Sequence, residues 1–174
     1  ARVDYDLHRV DTRDTLTLVG YAQQRGEISF FAALRKSFAG RLNMNLMFRK
    51  EWIDGKGVGL IPFAGFDLKL LDDGSLVLKG SVARNYHHPT LNDLYWQPGG
   101  NPDLRPEKGF TLETGLEFQQ PLGEQLMTAE LTLYRTDIKD WILWIPSYQG
   151  FWEPRNIQRV LSRGVEFVTF LRGN

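Results

Sequence analysis

The sequence predicts an all-β fold, a set of antiparallel transmembrane β-barrel strands. Apolar and polar residues alternate with period two along most of the 174 residues, which places successive side chains on opposite faces of a strand and rarely survives in a helix. The alternating runs are about 8 to 15 residues long, above the usual 5 to 6 of soluble sheets and near the 9 to 11 of a tilted membrane strand. Short and long connections also take turns, as in barrels with short turns on one side of the membrane and long loops on the other.

About nine strands are expected. The first two span roughly 2–9 and 14–22, the second setting Leu16 and Leu18 against Thr15 and Thr17. Strands follow at 27–37 and at 41–51, where Leu42, Met44, Leu46 and Phe48 face away from Asn43, Asn45 and Arg49. The next pair, 60–71 and 75–85, contains Leu76, Leu78 and Val82 against Lys79 and Ser81. The clearest alternation lies in 109–119, with Phe110, Leu112, Leu116 and Phe118 on one face and Thr111, Glu113 and Glu117 on the other. In 126–138, Met127, Ala129, Leu131 and Leu133 oppose Thr128, Glu130 and Thr132, and a last strand covers 157–171. Short turns are expected near Val10–Arg13, Ala39–Gly40, Asp72–Ser75 and Pro121–Gln125, and long outer loops at 52–59, 86–108 and 139–156.

Composition excludes several functions. Lys plus Arg equals Asp plus Glu at 21 each, so no net positive charge is available to attract nucleic acid. Cysteine is absent, which removes disulfides, thiolate metal sites and a thiol nucleophile. The longest apolar runs, such as Leu60–Ala64, fall far below the roughly 18 residues of a spanning helix. The opening residues Ala1–Asp6 lack the features of a signal peptide, so any export signal is expected upstream. Neither Gly-x-Ser-x-Gly nor His-Glu-x-x-His occurs, and Gly55–Gly59 joins two strands without the helix that a phosphate-binding loop requires. Asp93, Asp103, Glu107 and Glu113 could be paired as glycosidase acids, but any two carboxylates in a β protein permit that. An enzyme, a metal site and a cofactor are therefore not expected.

A soluble β-sandwich that binds carbohydrate through exposed Trp and Tyr is the rival reading, since it too uses alternating strands. The two differ in where Leu112, Leu116, Leu131 and Leu133 point: against a second sheet in a sandwich, outward as an exposed belt in a barrel.

The segment 86–108 carries prolines at 89, 98, 102 and 106, each of which removes a backbone donor, so it reads as an ordered loop rather than a paired strand. Asn101-Pro102-Asp103 favours a turn closed by side-chain to backbone hydrogen bonds.

The run Ser81–Trp96, followed by Gly99–Lys108, resembles the TonB-dependent outer-membrane receptor family. Those barrels carry an aromatic-basic-x-Pro-Thr/Ser-Leu-x-x-Leu-Tyr stretch, then Asn-Pro-x-Leu-x-Pro-Glu and a strand with Glu and Gly, matched here by Glu113 and Gly115. Pro89, Leu94, Asn101, Pro102, Leu104, Pro106 and Glu107 occupy the motif positions and read as structural, with Glu107 a hydrogen-bond acceptor. His87 and His88 depart from the pattern, where a basic residue and Ala are commoner. Downstream, Tyr134–Ile142 is similar to the family's strand-to-loop segment, and Asn156 with Arg163-Gly164-Val165-Glu166 to its returning strand; Gly164 and Glu166 join the structural set. Asp93–Trp96 before Gly100-Asn101-Pro102 is similar to the vitamin B12 receptors and their relatives, with the siderophore receptor branch as the alternative.

The resemblance implies a plugged barrel of about 22 strands, of which residues 1–174 would be a partial β-barrel domain, the plug domain and the C-terminal strands lying elsewhere. It implies a place in the outer membrane of a Gram-negative bacterium. The implied partners are TonB, the plug, the lipid bilayer and a small-molecule nutrient, cobalamin or a ferric siderophore foremost, taken up with high affinity. Outer-loop Tyr95, Trp96, Tyr148 and Trp152 are the candidate ligand contacts, because aromatic faces stack on flat ligands. His87 and His88 complete the set, with hydrogen bonding inside the loop as their other role. Trp and Tyr also build girdles at membrane interfaces, a role expected first of Trp141 and Trp144.

Overall fold

A computed structural model describes residues 1–13 and 19–173. Strands β1 (Arg2–Arg13), β2 (Gly20–Phe38), β3 (Leu42–Ile53), β4 (Lys56–Gly57), β5 (Ile61–Lys69) and β6 (Leu76–His87) precede a short helix α1 (Leu91–Tyr95); β7 (Glu107–Leu122), β8 (Gln125–Pro146) and β9 (Trp152–Gly173) complete the chain. They form one sheet in the order β1-β2-β3-β5-β6-β7-β8-β9, with β4 paired beside β3, and every neighbouring pair is antiparallel. β1 and β9 are its edges.

The register sorts the side chains into two unlike faces. One row crosses seven strands as Phe38, Leu42, Leu68, Leu78, Leu116, Leu131 and Phe167. The row beside it, one residue along each strand, reads Ser37, Asn43, Asp67, Lys79, Gly115, Thr132 and Glu166. Because the side-chain period is two, these rows lie on opposite faces, one apolar and one polar. On the polar face Lys79 is ion-paired with Glu117 and lies 3.5 Å from Glu130.

Among the described residues the apolar face meets no second layer. Leu112, Leu116, Leu131 and Leu133 are 51%, 40%, 40% and 47% exposed, which rules out the sandwich and matches the belt of a barrel. The buried apolar residues lie instead at one end of the sheet: Ile53, Val58, Leu91, Leu94 and Leu104, with Pro89 and Pro154 fully enclosed. The packed core therefore supports a loop, and the sheet itself leaves its apolar side exposed.

The belt's upper edge also records the strand tilt. The first charges above it include Arg9 on β1 and Arg163 on β9. Tracing Arg163 through its partners Arg135, Leu112, Val82, Ala64 and Leu46 leads to Leu34 on β2, whereas Arg9 pairs with Gln24. A slip of ten residues over seven strand-to-strand steps is about 1.4 residues per step. At roughly 3.3 Å per residue and 4.8 Å between strands, this corresponds to a tilt of about 44°, in the range that barrel closure requires.

Several expected boundaries differ. The separate strands 14–22 and 27–37 give way to a single β2; Leu16 and Leu18, with Thr15 and Thr17, lie outside the described residues. The polar stretch Gln23–Gly26 looks like a turn in sequence, yet it pairs with Leu7–Val10, because a strand that rises above the bilayer needs no apolar face there. For the same reason Val10–Arg13, expected as a short turn, is the paired end of β1 and lies at the long-loop end of the sheet. The expected loop 139–156 is mostly a hairpin extension, since β8 and β9 pair out to Pro146 and Trp152 and leave only 147–151 between them. Within 52–59, Asp54 and Gly55 both have positive φ (47° and 76°), the backbone of a primed two-residue hairpin turn, and hold β4 against β3. At the opposite end, Gly123 (φ 63°) opens the two-residue turn between β7 and β8.

Candidate functional site

Connections 54–60, 88–106 and 147–151 share one end of the sheet, and 88–106 is folded down on its neighbours. Fully buried Pro89 leads into Thr90, whose extended backbone (φ −68°, ψ 165°) makes it the N-cap of α1. The Thr90 hydroxyl accepts from the Asp93 backbone N–H at 3.1 Å, and the Asp93 carboxylate accepts from the Thr90 N–H at 2.8 Å and its hydroxyl at 2.7 Å. This reciprocal capping satisfies donors that a one-turn helix would otherwise leave orphaned. Leu91 and Leu94 turn inward, and α1 stops at Trp96 ahead of Pro98.

The loop is then tied to three strands. Trp144 Nε1 donates to Asp93 Oδ1 at 2.9 Å, Tyr21 bonds Asn92, and Arg25 Nη1 donates to the Pro89 carbonyl at 2.6 Å. Gly99 has φ 119°, and a side chain there would strike the Trp152 carbonyl oxygen, so only glycine allows this approach. Asn101 accepts from the Asp103 N–H at 3.0 Å, closing the turn, and donates to the Pro154 carbonyl at 3.2 Å. Asn156 acts as a clamp: it accepts from the Arg105 N–H at 2.9 Å and donates to the carbonyls of Arg105 (2.9 Å) and Asp140 (2.6 Å). The Arg105 guanidinium meets the Asp140 carboxylate at 2.6 Å, and Glu107 Oε1 accepts from the Ile142 N–H at 2.8 Å. Further down β9, Gly164 leaves room for the Tyr134 ring, whose hydroxyl oxygen would lie 2.6 Å from an added Cβ; Glu166 pairs across from Thr132 on the polar face.

The six candidate ligand residues separate into two groups. His88 and Tyr95 line a hollow with Arg25, Ile53, Leu91 and Leu94, and Tyr95 stands 6.3 Å from Tyr21 in a tilted ring pair. His87, His88 and His8, the chain's three histidines, line a neighbouring hollow with Glu27 and Glu51 on the polar face. His88 Nδ1 lies 3.0 Å from the Pro89 carbonyl and 3.3 Å from Arg25 Nη1, so the loop itself engages its ring. Trp96 is exposed, Tyr148 fully so at the tip of the β8–β9 hairpin, and Trp152 projects at the start of β9. Trp144 departs from the expected membrane girdle, because its register puts it on the inward face, where Asp93 holds it. Trp141, of opposite parity, faces outward.

Sequence reasoning overlooked Arg25, Tyr21, Arg105 and Asp140 as supports of the loop. Arg25 sits in the gap between the expected strands 14–22 and 27–37, and the other contacts cross long separations that no local pattern records.

Residues 2–173 match the family described as "TonB dependent receptor-like, beta-barrel". The chain belongs to the TonB-dependent receptor β-barrel family. It is 36% identical over 87 residues to the vitamin B12 transporter BtuB of Vibrio vulnificus, a stretch that covers 49% of this chain and 14% of that protein. Among solved structures, the hemophore receptor HasR of Serratia marcescens superposes with a TM-score of 0.78 at 16% identity, covering 98% of this chain and 37% of the other. The siderophore receptor PirA of Pseudomonas aeruginosa gives 0.74 at 18% identity, covering 95% and 35%. This TonB-dependent receptor chain thus spans little more than a third of those barrels' chains, and the matched fold includes both the exposed belt and the loop end.

Proposed function

We propose that this chain forms part of the barrel wall of an outer-membrane receptor in a Gram-negative bacterium, one that takes up a scarce nutrient with high affinity. The observation that carries the reading is the pair of unlike faces in a single tilted sheet: an exposed apolar belt suited to lipid and a polar face suited to a plugged lumen. The open edges at β1 and β9 call for further strands, because long unpaired edges attract foreign chains. We place those strands and a plug domain elsewhere in the receptor, with TonB as the energising partner at the opposite face of the membrane. In this role the chain is not an enzyme.

Cobalamin and ferric siderophores are the favoured cargo. The local similarity to a vitamin B12 transporter supports the first, and the fold shared with a siderophore receptor supports the second. Tyr95, Trp96, His87, His88, Tyr148 and Trp152 would line the entry, the exposed aromatics offering stacking faces at the loop end. Binding of cyanocobalamin and of a ferric catecholate to the full receptor, wild type against Trp96→Ala, Tyr148→Ala and Trp152→Ala, tests this. One ligand should bind tightly and lose at least tenfold in affinity in one or more variants; binding of neither ligand would overturn the cargo assignment.

A further inference from the structure

The chain's three histidines come from three places, β1, the end of β6 and the start of the outer loop, and line one hollow on the polar face. One of them, His88, also touches the group that holds the loop down. Arg25 leaves only 12% of its side chain exposed, and its Nη1 donates to the Pro89 carbonyl at 2.6 Å, at the root of segment 88–106. His88 Nδ1 stands 3.3 Å from that same Nη1 and 3.0 Å from the same carbonyl oxygen. Ring, guanidinium and carbonyl thus form one three-way contact.

A neutral imidazole suits this contact in either tautomer, donating to the carbonyl from Nδ1 or accepting there from Arg25. A charged ring offers Arg25 no acceptor and sets a second cation 3.3 Å from the guanidinium. Each neighbouring carboxylate is already engaged. Glu27 on β2 faces Arg25 Nε at 2.7 Å and lies 3.7 Å from His8 Nε2, so it serves two basic groups at once. Glu51 on β3 is ion-paired with Arg49, and Asp54 in the turn after β3 accepts from the Gly26 N–H at 2.9 Å. Asp93 on α1 is held by Thr90 and Trp144. Lys56 on β4 and His87 on β6 add further basic groups, and Tyr86 and Tyr95 add uncharged rings. In the two hollows beside His88, Arg25, Arg49 and Lys56 balance Glu27, Glu51 and Asp54, so a proton taken up by a histidine there adds net positive charge beside Arg25.

We infer that His88 makes segment 88–106 a proton-sensitive latch: a neutral ring lets Arg25 hold the Pro89 carbonyl, and a charged ring drives the two apart and loosens the segment. Imidazoles change charge between about pH 5 and 8. The loosened segment relieves the repulsion and binds the proton more readily, so falling pH favours opening. Tyr95 and Trp96 are carried on this segment, so the latch governs how firmly the proposed cargo contacts are held in place. That consequence rests on the receptor reading above, whereas the latch rests on the geometry around Arg25.

The test is amide hydrogen exchange at residues 92–96 of the full receptor without cargo, from about pH 5 to about pH 7.5, each rate divided by the intrinsic rate at that pH. Protection in wild type should fall at least tenfold in a single step as pH is lowered. His88→Ala installs the residue commoner at this motif position, and His88→Gln keeps a hydrogen-bonding side chain without a titrating charge. Both should remove the step, whatever their baseline. His8→Gln, in the same hollow but on β1, should keep it. A wild-type profile flat within threefold overturns the inference, and so does a step that survives in His88→Gln or disappears in His8→Gln. Because the exchange is read without cargo, the latch stands or falls apart from the receptor reading, which the binding of cyanocobalamin and a ferric catecholate tests.

Discussion

The Asp93 carboxylate offers the sharpest test of how the outer loop is held. It accepts from the Thr90 N–H, the Thr90 hydroxyl and Trp144 Nε1, and it is buried. Asp93→Ala removes the side-chain half of the reciprocal cap, the Thr90 hydroxyl still accepting from the N–H of residue 93, at about 1 kcal/mol, and leaves the Trp144 N–H half-buried without its acceptor, a further cost of about 1–3 kcal/mol. The loss of about 2–4 kcal/mol falls on the local opening of 88–106, because the strand ladders beneath do not depend on it. At about 1.4 kcal/mol per tenfold change, amide hydrogen exchange at residues 92–96 of the full receptor should accelerate by roughly thirtyfold to several hundredfold, with little change in β7 or β8. Asp93→Asn keeps one acceptor oxygen and should fall between wild type and Ala. Exchange in Asp93→Ala within threefold of wild type would refute the reasoning and show that burial of Leu91 and Leu94 holds the helix unaided.

Three further predictions follow from the same geometry. Leu116→Arg puts a charge on the lipid face and should destabilise the receptor by about 2–4 kcal/mol in urea titrations in bilayers, whereas Thr132→Arg on the polar face should cost far less; equal effects would contradict the assignment of faces. Asn156→Ala cuts three hydrogen bonds of the clamp and should raise the rate of limited proteolysis within 88–106, at a cost of about 1–3 kcal/mol; an unchanged rate would assign the clamp's work to Arg105 and Asp140. In the turn between β5 and β6, the Ser75 N–H and hydroxyl donate to Asp73 and hold its carboxyl below the usual carboxylate range. A depressed folded pKa means that the contribution is complete above the unfolded value of about 3.9 and is lost as pH falls through the folded one. The Ser75 amide shift should therefore titrate below that value in nuclear magnetic resonance spectra and show no such step in Asp73→Asn.

The strand class, the two faces and an ordered loop within 86–108 were all legible in the chain, although Tyr86, His87, Glu107 and Lys108 prove to be paired strand ends and the loop itself is 88–106. Alternation such as Phe110–Phe118 encodes a face directly, since a one-residue slip would carry every side chain to the wrong side. The proline spacing ruled out a paired strand there just as directly. The strand ends were less legible: Gln23–Gly26 has the polarity of a loop, and 139–146 breaks the alternation with the apolar run Trp141–Ile145, yet both belong to long strands, β2 and β8.

The candidate site divides in the same way. The motif positions from Pro89 to Glu107 announced an ordered loop, but not its supports: Arg25, Trp144 and Asn156 stand 50 or more positions from the loop groups they hold, Pro89, Asp93 and Arg105, and only the register of β2, β8 and β9 brings them there. Trp144 shows why composition misled, since a tryptophan near a strand end suits a membrane girdle or a lumen-facing hydrogen bond, and the choice is one of parity.

By itself, the sequence determined that the chain makes long antiparallel strands with one greasy and one polar face and an ordered loop between two of them, because periodicity and proline act within a few neighbouring residues. Only the tertiary structure decided that the greasy face meets no second sheet, that the strands lean at a barrel's tilt, and that the three histidines meet in one hollow. Those outcomes depend on how distant segments fall into register, which no single strand specifies.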